Sequence, residues 1–452
     1  MDFSRSAVYL ALAALLSAAV PASATEWFVA PGGSGNGVRT APFGRVQDGI
    51  KAAQAGDIIS VLPGMYPESL ATVRDGLPAM PILLRAAEGA GSVVVTARGR
   101  VLRIDHAHMT VEGVVLDGQY GAADTVVVNS GAHFLTLRDT EVRRSSRDLV
   151  DIAGPHDVLI ERCLIHHALN AADGRTDAHG VVAGAARNLT IRDTEIHTFS
   201  GDGFQIDPNR GAPGWDQVTI EGSTIWLAPL PAAENGFAAG TVPGENAVDT
   251  KVGPMLPRPT ITIRDTVAWG FRGGLITNMA AFNLKEDVNA LVDRVTVYDS
   301  EIAFRLRGRG AEKTGAWVTI TNAVVYDTAK AFRYEDNLQN LRIWNSTLGR
   351  GVTSPFQAAL SGRDGLEVRN LLLLGSSLPV EASHPSNRTA APDNFVDVSA
   401  HNYALVPGAS AIDSGVAIAD VMRDRAGTER PQGAAFDVGA FEWAPARAAA
   451  SR

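Results

Sequence analysis

One cysteine, Cys163, stands in a chain of 452 residues. No intrachain disulfide can form and no cysteine cluster can hold zinc. Stability must therefore come from the core, with or without a bound ion. Aromatic residues make up only 6% and charged residues 20%, with a formal net charge of −9. Such a chain lacks the basic surface that a nucleic-acid partner calls for, although a local basic patch on it could still take an anionic ligand. The apolar run from Ala7 to Val20 falls short of the ~20 residues a membrane span needs. It follows Arg5 and leads to Ala22-Ser23-Ala24, the layout of a secretory signal cleaved near Thr25. Residues 1–24 are expected to be removed on export. The mature protein is then secreted or periplasmic, free of the membrane, and expected to be a monomer. What the sequence does have is glycine, 45 residues of it, among many short Val/Ile/Leu/Thr runs. That composition points to an all-β fold with many turns.

A short phrase returns along the chain. It reads "MTVEGV" at Met109, "LTLRDT" at Leu135, "VLIERC" at Val158, "LTIRDT" at Leu189 and "VTIEGS" at Val218. It continues as "ITIRDT" at Ile261, "VTITNA" at Val318, "LRIWNS" at Leu341 and "LEVRNL" at Leu366, with a degenerate copy, "LVDRVTV", at Leu291. The steps lie mostly in the twenties to low thirties of residues, the range of solenoid repeats. Each phrase alternates apolar and polar residues, as a half-buried strand does. A second short strand follows in most repeats: "DLVDI", "GFQID", "AVDTK", "GLITN", "AFRLR", "AFRYE". Short strands without intervening helices fit a parallel β-helix solenoid. The repeats are too short for propeller blades. At the front, Phe43, Val46, Ile50 and Ala53 fall at helical spacing and predict a helix that plugs the open end, with "IISVLPG" as the first strand. The expected layout is an N-terminal cap and first coils over 25–100, the β-helix with its active face over 101–395, and a C-terminal cap and tail over 396–452.

The front phrase, the repeated "LTIRDT" strands and the closing "PGASAIDSG" and "FDVGAFEW" resemble secreted right-handed parallel β-helix proteins of the pectate-lyase-like superfamily. The resemblance spans nearly all of the mature chain. That superfamily holds polysaccharide lyases, hydrolases, epimerases and binding proteins, so it implies the fold and leaves the activity open.

Equivalent residues of successive coils stack ~4.8 Å apart. The second strands align on Val150, Phe204, Val248, Leu275, Phe304 and Phe332. The first outward column then reads Asp151, Gln205, Asp249, Ile276, Arg305, Arg333, and the next reads Ala153, Asp207, Lys251, Asn278, Arg307, Glu335. In "ENAVDTKVG", strand alternation would put Glu245, Ala247, Asp249 and Lys251 on one face. The predicted face is thus acidic at one end (Asp177, Asp202, Asp207, Glu245, Asp249) and basic at the other (Lys251, Arg305, Arg307, Arg333). β-Elimination on a uronate polysaccharide needs such a set. The substrate carboxylate must be neutralised by calcium or arginines, and a base must take the C5 proton. Lys251 is the expected base, Arg305 and Arg307 the expected neutralising groups, and Lys285 a reserve base. The base role requires a metal or arginines close to Lys251. Trp269, Tyr298 and Tyr326 recur beside the strands and could stack on sugar rings or belong to the core. His166 and His167 read as a turn.

The layout is most similar to family 9 pectate lyases, whose Asp-Asp-Gly-Phe-Asp cluster binds calcium and whose base is a lysine on a later coil. The matching stretch here is "SGDGFQID". Gly201 and Gln205 stand where that family has aspartates, and only Asp202 is kept. The resemblance therefore implies calcium on Asp177, Asp202, Asp207, Glu245 and Asp249 only in an altered form, while the lysine role carries over to Lys251. A glycoside hydrolase using Asp202, Asp207 and Asp249, a C5-epimerase, and a non-catalytic glycan binder stay open as alternatives.

Overall fold

The computed structural model describes residues 24–171, 177–206, 214–253, 257–308, 315–335, 338, 340–358 and 365–445. Three parallel sheets of 13, 13 and 11 strands run the length of the chain. Each coil visits the first, second and third sheet in turn, as with His156–Glu161, Leu164–Ala168 and Val181–Gly184. This is a parallel β-helix. All ten copies of the repeated phrase fall in the first sheet, in chain order.

The grammar of the phrase has a physical cause. Its fifth residue turns the corner from the first sheet to the second and adopts a left-handed backbone. Asp139 and Asp193 have φ of 50°, Asn322 51° and Asn370 52°, and glycine takes the place at Gly113 and Gly222. Only glycine adopts that conformation without penalty, and Asp and Asn tolerate it best. The sixth residue is commonly Thr or Ser, whose hydroxyl closes the corner. Thr140, Thr194 and Thr266 donate to the carbonyls of Arg138, Arg192 and Arg264 at 2.8–2.9 Å. The degenerate copy is offset by one residue from the expected reading. Ala290 and Val292 point inward and Leu291 is 42% exposed.

The interior is a continuous apolar column. Phe282, Phe304, Phe332 and Phe356 stack with ring centroids 5.5, 5.4 and 5.2 Å apart. At the front, the helix Val46–Ala52 buries Val46 and Ile50, with Ala53 buried just past its end, as its spacing predicts. A strand, Glu26–Val29, precedes it and pairs with Ile58–Val61, so the first strand lies earlier than "IISVLPG". At the back, the buried Arg430 donates to Glu442 at 2.8 Å and to the carbonyl of Gly439 and Oδ1 of Asn322 at 3.1 Å each. This polar knot ties the C-terminal segment across the last coils. No described helix is long and apolar enough to cross a membrane.

Candidate active site

The third sheet carries the predicted ladder, with one coil corrected. The inward column is Val150, Val181, Phe204, Val248, Phe282, Phe304, Phe332, Phe356. The strand after Val248–Asp249 is therefore Ala280–Leu284, and "GLITN" is a bend outside the sheet in which Leu275 is 46% exposed. "AAFNL" wins because all five of its side chains are buried and Phe282 continues the ring stack. The outward column accordingly reads Asp151, Val182, Gln205, Asp249, Asn283, Arg305, Arg333, Gln357. Ile276 leaves the ladder. Lys285, two residues after Asn283, takes the place beside Lys251 that Asn278 was expected to hold.

The expected alternation through "ENAVDTKVG" holds only in part. The strand is two residues long, the chain bends at Ala247, and Ala247 and Val248 are both in the core. Asp249 nevertheless points away from the apolar column, buried at the centre of a cationic grip. Lys285 Nζ lies 2.8 Å from its Oδ1 and Lys251 Nζ 3.9 Å from its Oδ2, with side-chain exposures of 17% and 33%. The Asn283 amide adds a 2.7 Å hydrogen bond. Burial, reinforced by the nearby Asp202 charge, pushes the Asp249 carboxyl up to about 6, against the pull of Lys285 and Lys251. Trp215 Nε1 donates to the Lys251 carbonyl at 2.9 Å and fixes the backbone there.

At the acidic end, Asp202 is saturated with hydrogen bonds. Gln205 Nε2 donates to its Oδ2 and Asn246 Nδ2 to its Oδ1, each at 2.8 Å. Its own N–H donates to His179 Nδ1 at 2.7 Å. His179 explains one departure from the resembled motif. A Cβ on Gly201 would stand 2.5 Å from His179 Nδ1, so no larger residue fits there while that imidazole keeps its place. Gln205 explains the other, since its amide binds the one aspartate retained. Glu245, held by a 2.8 Å bond from its N–H to the Gly201 carbonyl, is half-buried beside these acids. Burial first, then the charges of Asp202, Asp177 and Asp249, push its carboxyl up to about 7. Asp177 is exposed. Asp207 lies outside the described residues.

At the basic end, three guanidinium groups converge on Glu335. Arg333 reaches it at 2.6 Å, Arg305 at 2.9 Å and Arg307 at 3.3 Å. Burial raises the Glu335 carboxyl, but the bonds from Arg305 and Arg333 outweigh it and hold it below the usual range. Arg333 also donates to Asn278 and Gln357 at 3.0 and 3.1 Å.

Calcium takes six to eight oxygen ligands. Here lysine ammonium and side-chain amide nitrogens face the oxygens of Asp202 and Asp249 that would have to supply them. Among the described residues, no group of three or more His, Cys, Asp or Glu is placed to hold a metal ion. The donor set fits an internal lysine better than a divalent cation.

The recurring aromatics stand on the second sheet and face one another. His166, His197, Trp226, Trp269, Tyr298, Tyr326 and His401 stack at 4.1–5.7 Å. Each of Trp269, Tyr298 and Tyr326 has a ring on either side, so their faces are not open to a sugar. His166 and His167 belong to this edge, where His166 meets Glu141 at 3.1 Å.

The sequence pattern missed Asn246 and Asn283 as site residues, gave His179 no role and held Lys285 only in reserve. The continuous phenylalanine column was the signal that could have placed Asn283 and Lys285.

No family model matches the chain, and no curated protein matches it. Among solved structures, a rhamnogalacturonan lyase superposes with a TM-score of 0.55 at 14% identity, over 82% of this chain and 91% of that one. A structure titled as the complex of XylC with xylose gives 0.51 at 10% identity, over 92% and 98%. The pectate lyase Pel9A gives 0.49 at 15% identity, over 93% and 97%. At these identities the likeness is one of fold. It places the chain among parallel β-helix proteins.

Proposed function

We propose that this chain is an exported polysaccharide lyase that cleaves a uronic-acid polysaccharide by β-elimination without calcium. One observation carries the reading: a buried aspartate gripped by two lysines, in the same ladder as a cluster of three arginines. The resemblance to β-helix lyases supports it. The substrate carboxylate would lie against Arg305, Arg307 and Arg333, whose guanidinium groups offer charge-assisted donors to the carboxylate and to the enolate that forms from it. Lys251, the more exposed and more loosely held lysine, would take the C5 proton as its free amine. Lys285, locked on Asp249, supplies the positive charge beside Lys251 that the sequence reading asked of a metal or of arginines. It also keeps Asp249 from seizing Lys251 as a tight ion pair.

A glycoside hydrolase is the second reading, and Glu245 favours it, because a carboxyl that stays protonated near neutrality suits a glycosidic acid. It needs a second carboxylate free to activate water or attack. Asp202 and Asp249 have their oxygens engaged by amides and ammonium groups, which weighs against it. Mass analysis after incubation with polygalacturonate, polymannuronate and polyglucuronate separates the readings. Elimination gives oligomers one water lighter than hydrolysis products. An epimerase changes residue composition without cutting, and a binder changes nothing. Cleavage that yields full-mass fragments with no unsaturated partner would refute the lyase reading.

A further inference from the structure

A cavity opens on the outer face of the first sheet, away from the ladder of the third. One column of this face is built largely of threonine, with Thr190, Thr219 and Thr262 in register on successive coils. Leu291 breaks the column after Thr262, and Arg342 breaks it again after Thr319. Both line one cavity of about 440 Å³, together with Thr262, Thr319, Trp344 and Asp420. That volume falls among small-ligand sites, roughly 300–1,000 Å³. Four coils make its floor, which at ~4.8 Å per step spans about 14 Å. Leu291 is 42% exposed there. Arg342 lies over the Trp344 ring, its guanidinium carbon 5.5 Å from the centroid, and pairs with no carboxylate among the described residues. The other lining arginines are taken: Arg264 donates to Glu221 at 2.6 Å and Arg294 to Asp265 at 2.7 Å. Trp344 is 7% exposed and its indole N–H is buried without an acceptor, a state native interiors seldom tolerate. The far wall is fixed as well. Val421 is buried and the Arg423 carbonyl accepts from Asn322 at 3.1 Å, so the C-terminal segment holds the exposed Asp420 at the cavity's edge.

We propose that this cavity is a second carbohydrate site, which holds a uronate residue of the polysaccharide without cutting it. The ligand class rests on the proposed function, but the site itself needs no cleavage. The uronate carboxylate takes the Arg342 guanidinium as a charge-assisted, bidentate partner. As Arg342 turns from the indole to the ligand, a ring hydroxyl gains access to the Trp344 N–H. Asp420 accepts from another hydroxyl, and Leu291 receives the apolar face of the sugar. The other lining acid, Asp293, is engaged by Thr321 at 2.7 Å and Asn322 at 2.9 Å, so the cavity offers no pair of open carboxylates for hydrolysis. A polymer long enough to reach both this face and the third sheet gains an avidity that an oligomer does not.

The test uses 5-fluorotryptophan-labelled protein in the Lys251→Ala background, so that the ligands stay whole. The chain has seven tryptophans, and Trp344→Phe assigns the fluorine resonance of Trp344. Trimers of galacturonate, mannuronate and glucuronate are titrated, with maltotriose as the neutral control. At least one uronate trimer should shift the Trp344 resonance to saturation, and maltotriose should not. Arg342→Gln should raise the Kd about 10–100-fold. Leu291→Thr, which restores the column, should raise it by a smaller factor. The remaining fluorine resonances should keep their places in both variants, which shows that they fold. No shift at Trp344 with any uronate trimer, an equal shift with maltotriose, or an unchanged Kd in Arg342→Gln would overturn the proposal. Binding at Trp344 in a protein whose wild type makes no unsaturated product would uphold the site and refute the lyase reading. Unsaturated product with a silent Trp344 would do the reverse.

Discussion

Lysine 285 should hold down a pH-dependent instability, and its size can be worked out. Asp249 is 3% exposed and its carboxyl is raised from 3.8 to about 6. A raised carboxyl favours the folded state at low pH. That advantage is lost as pH climbs from the unfolded value toward the folded one, and above it the remaining penalty is constant. In wild type the penalty levels off near pH 6 at roughly 3 kcal/mol, since each unit is worth about 1.4 kcal/mol. Lys285→Met removes the 2.8 Å ammonium contact but keeps the aliphatic stem. The Asp249 proton then stays on to higher pH, and the variant goes on losing stability where wild type has stopped. The difference between the two should be near zero at pH 5 and should widen as pH rises from 6 to 8, by no more than the roughly 1.4 kcal/mol per pH unit that a single proton allows. Urea denaturation at pH 5, 6, 7 and 8 measures it. Lys251→Met is the control, because that contact is 3.9 Å long and one-third exposed. It should cost under about 1 kcal/mol with little pH dependence. A Lys285→Met difference that does not change with pH, or an equal slope in Lys251→Met, would refute the reasoning.

Two further substitutions probe the scaffold. Arg430→Met leaves Glu442 buried and unpaired, and should destabilise the protein by about 3–5 kcal/mol in thermal or urea unfolding. Gly201→Ala puts a methyl 2.5 Å from His179 Nδ1. It should cost about 1–3 kcal/mol and lower activity, because the imidazole that accepts the Asp202 N–H must move.

The fold was legible because its corners repeat. A left-handed residue once per coil selects Asp, Asn or Gly, and the hydroxyl after it selects Thr or Ser, so the phrase surfaces in the sequence wherever the geometry recurs. The acidic and basic ends of the face were legible for a similar reason: one residue per coil enters each column. The errors came where one coil departs from that spacing. Between Trp269 and Ala280 the chain makes a glycine-rich excursion, and "GLITN" imitates a strand better than "AAFNL", whose outward residue Asn283 is itself buried. Period-two alternation cannot distinguish a two-residue strand with a bend before it from a longer one, so Ala247 was assigned to the wrong face. The role of His179 was not legible, because it depends on the empty space at Gly201 on the following coil.

The most direct test of the central claim is the ultraviolet absorbance of the C4–C5 double bond during incubation with polyuronates, in chelator and in added calcium, for wild type and Lys251→Ala. The account predicts that absorbance grows equally with and without chelator in wild type and falls by about 10²–10⁴-fold in the variant. Absorbance that appears only with calcium, or that survives in Lys251→Ala, would contradict it.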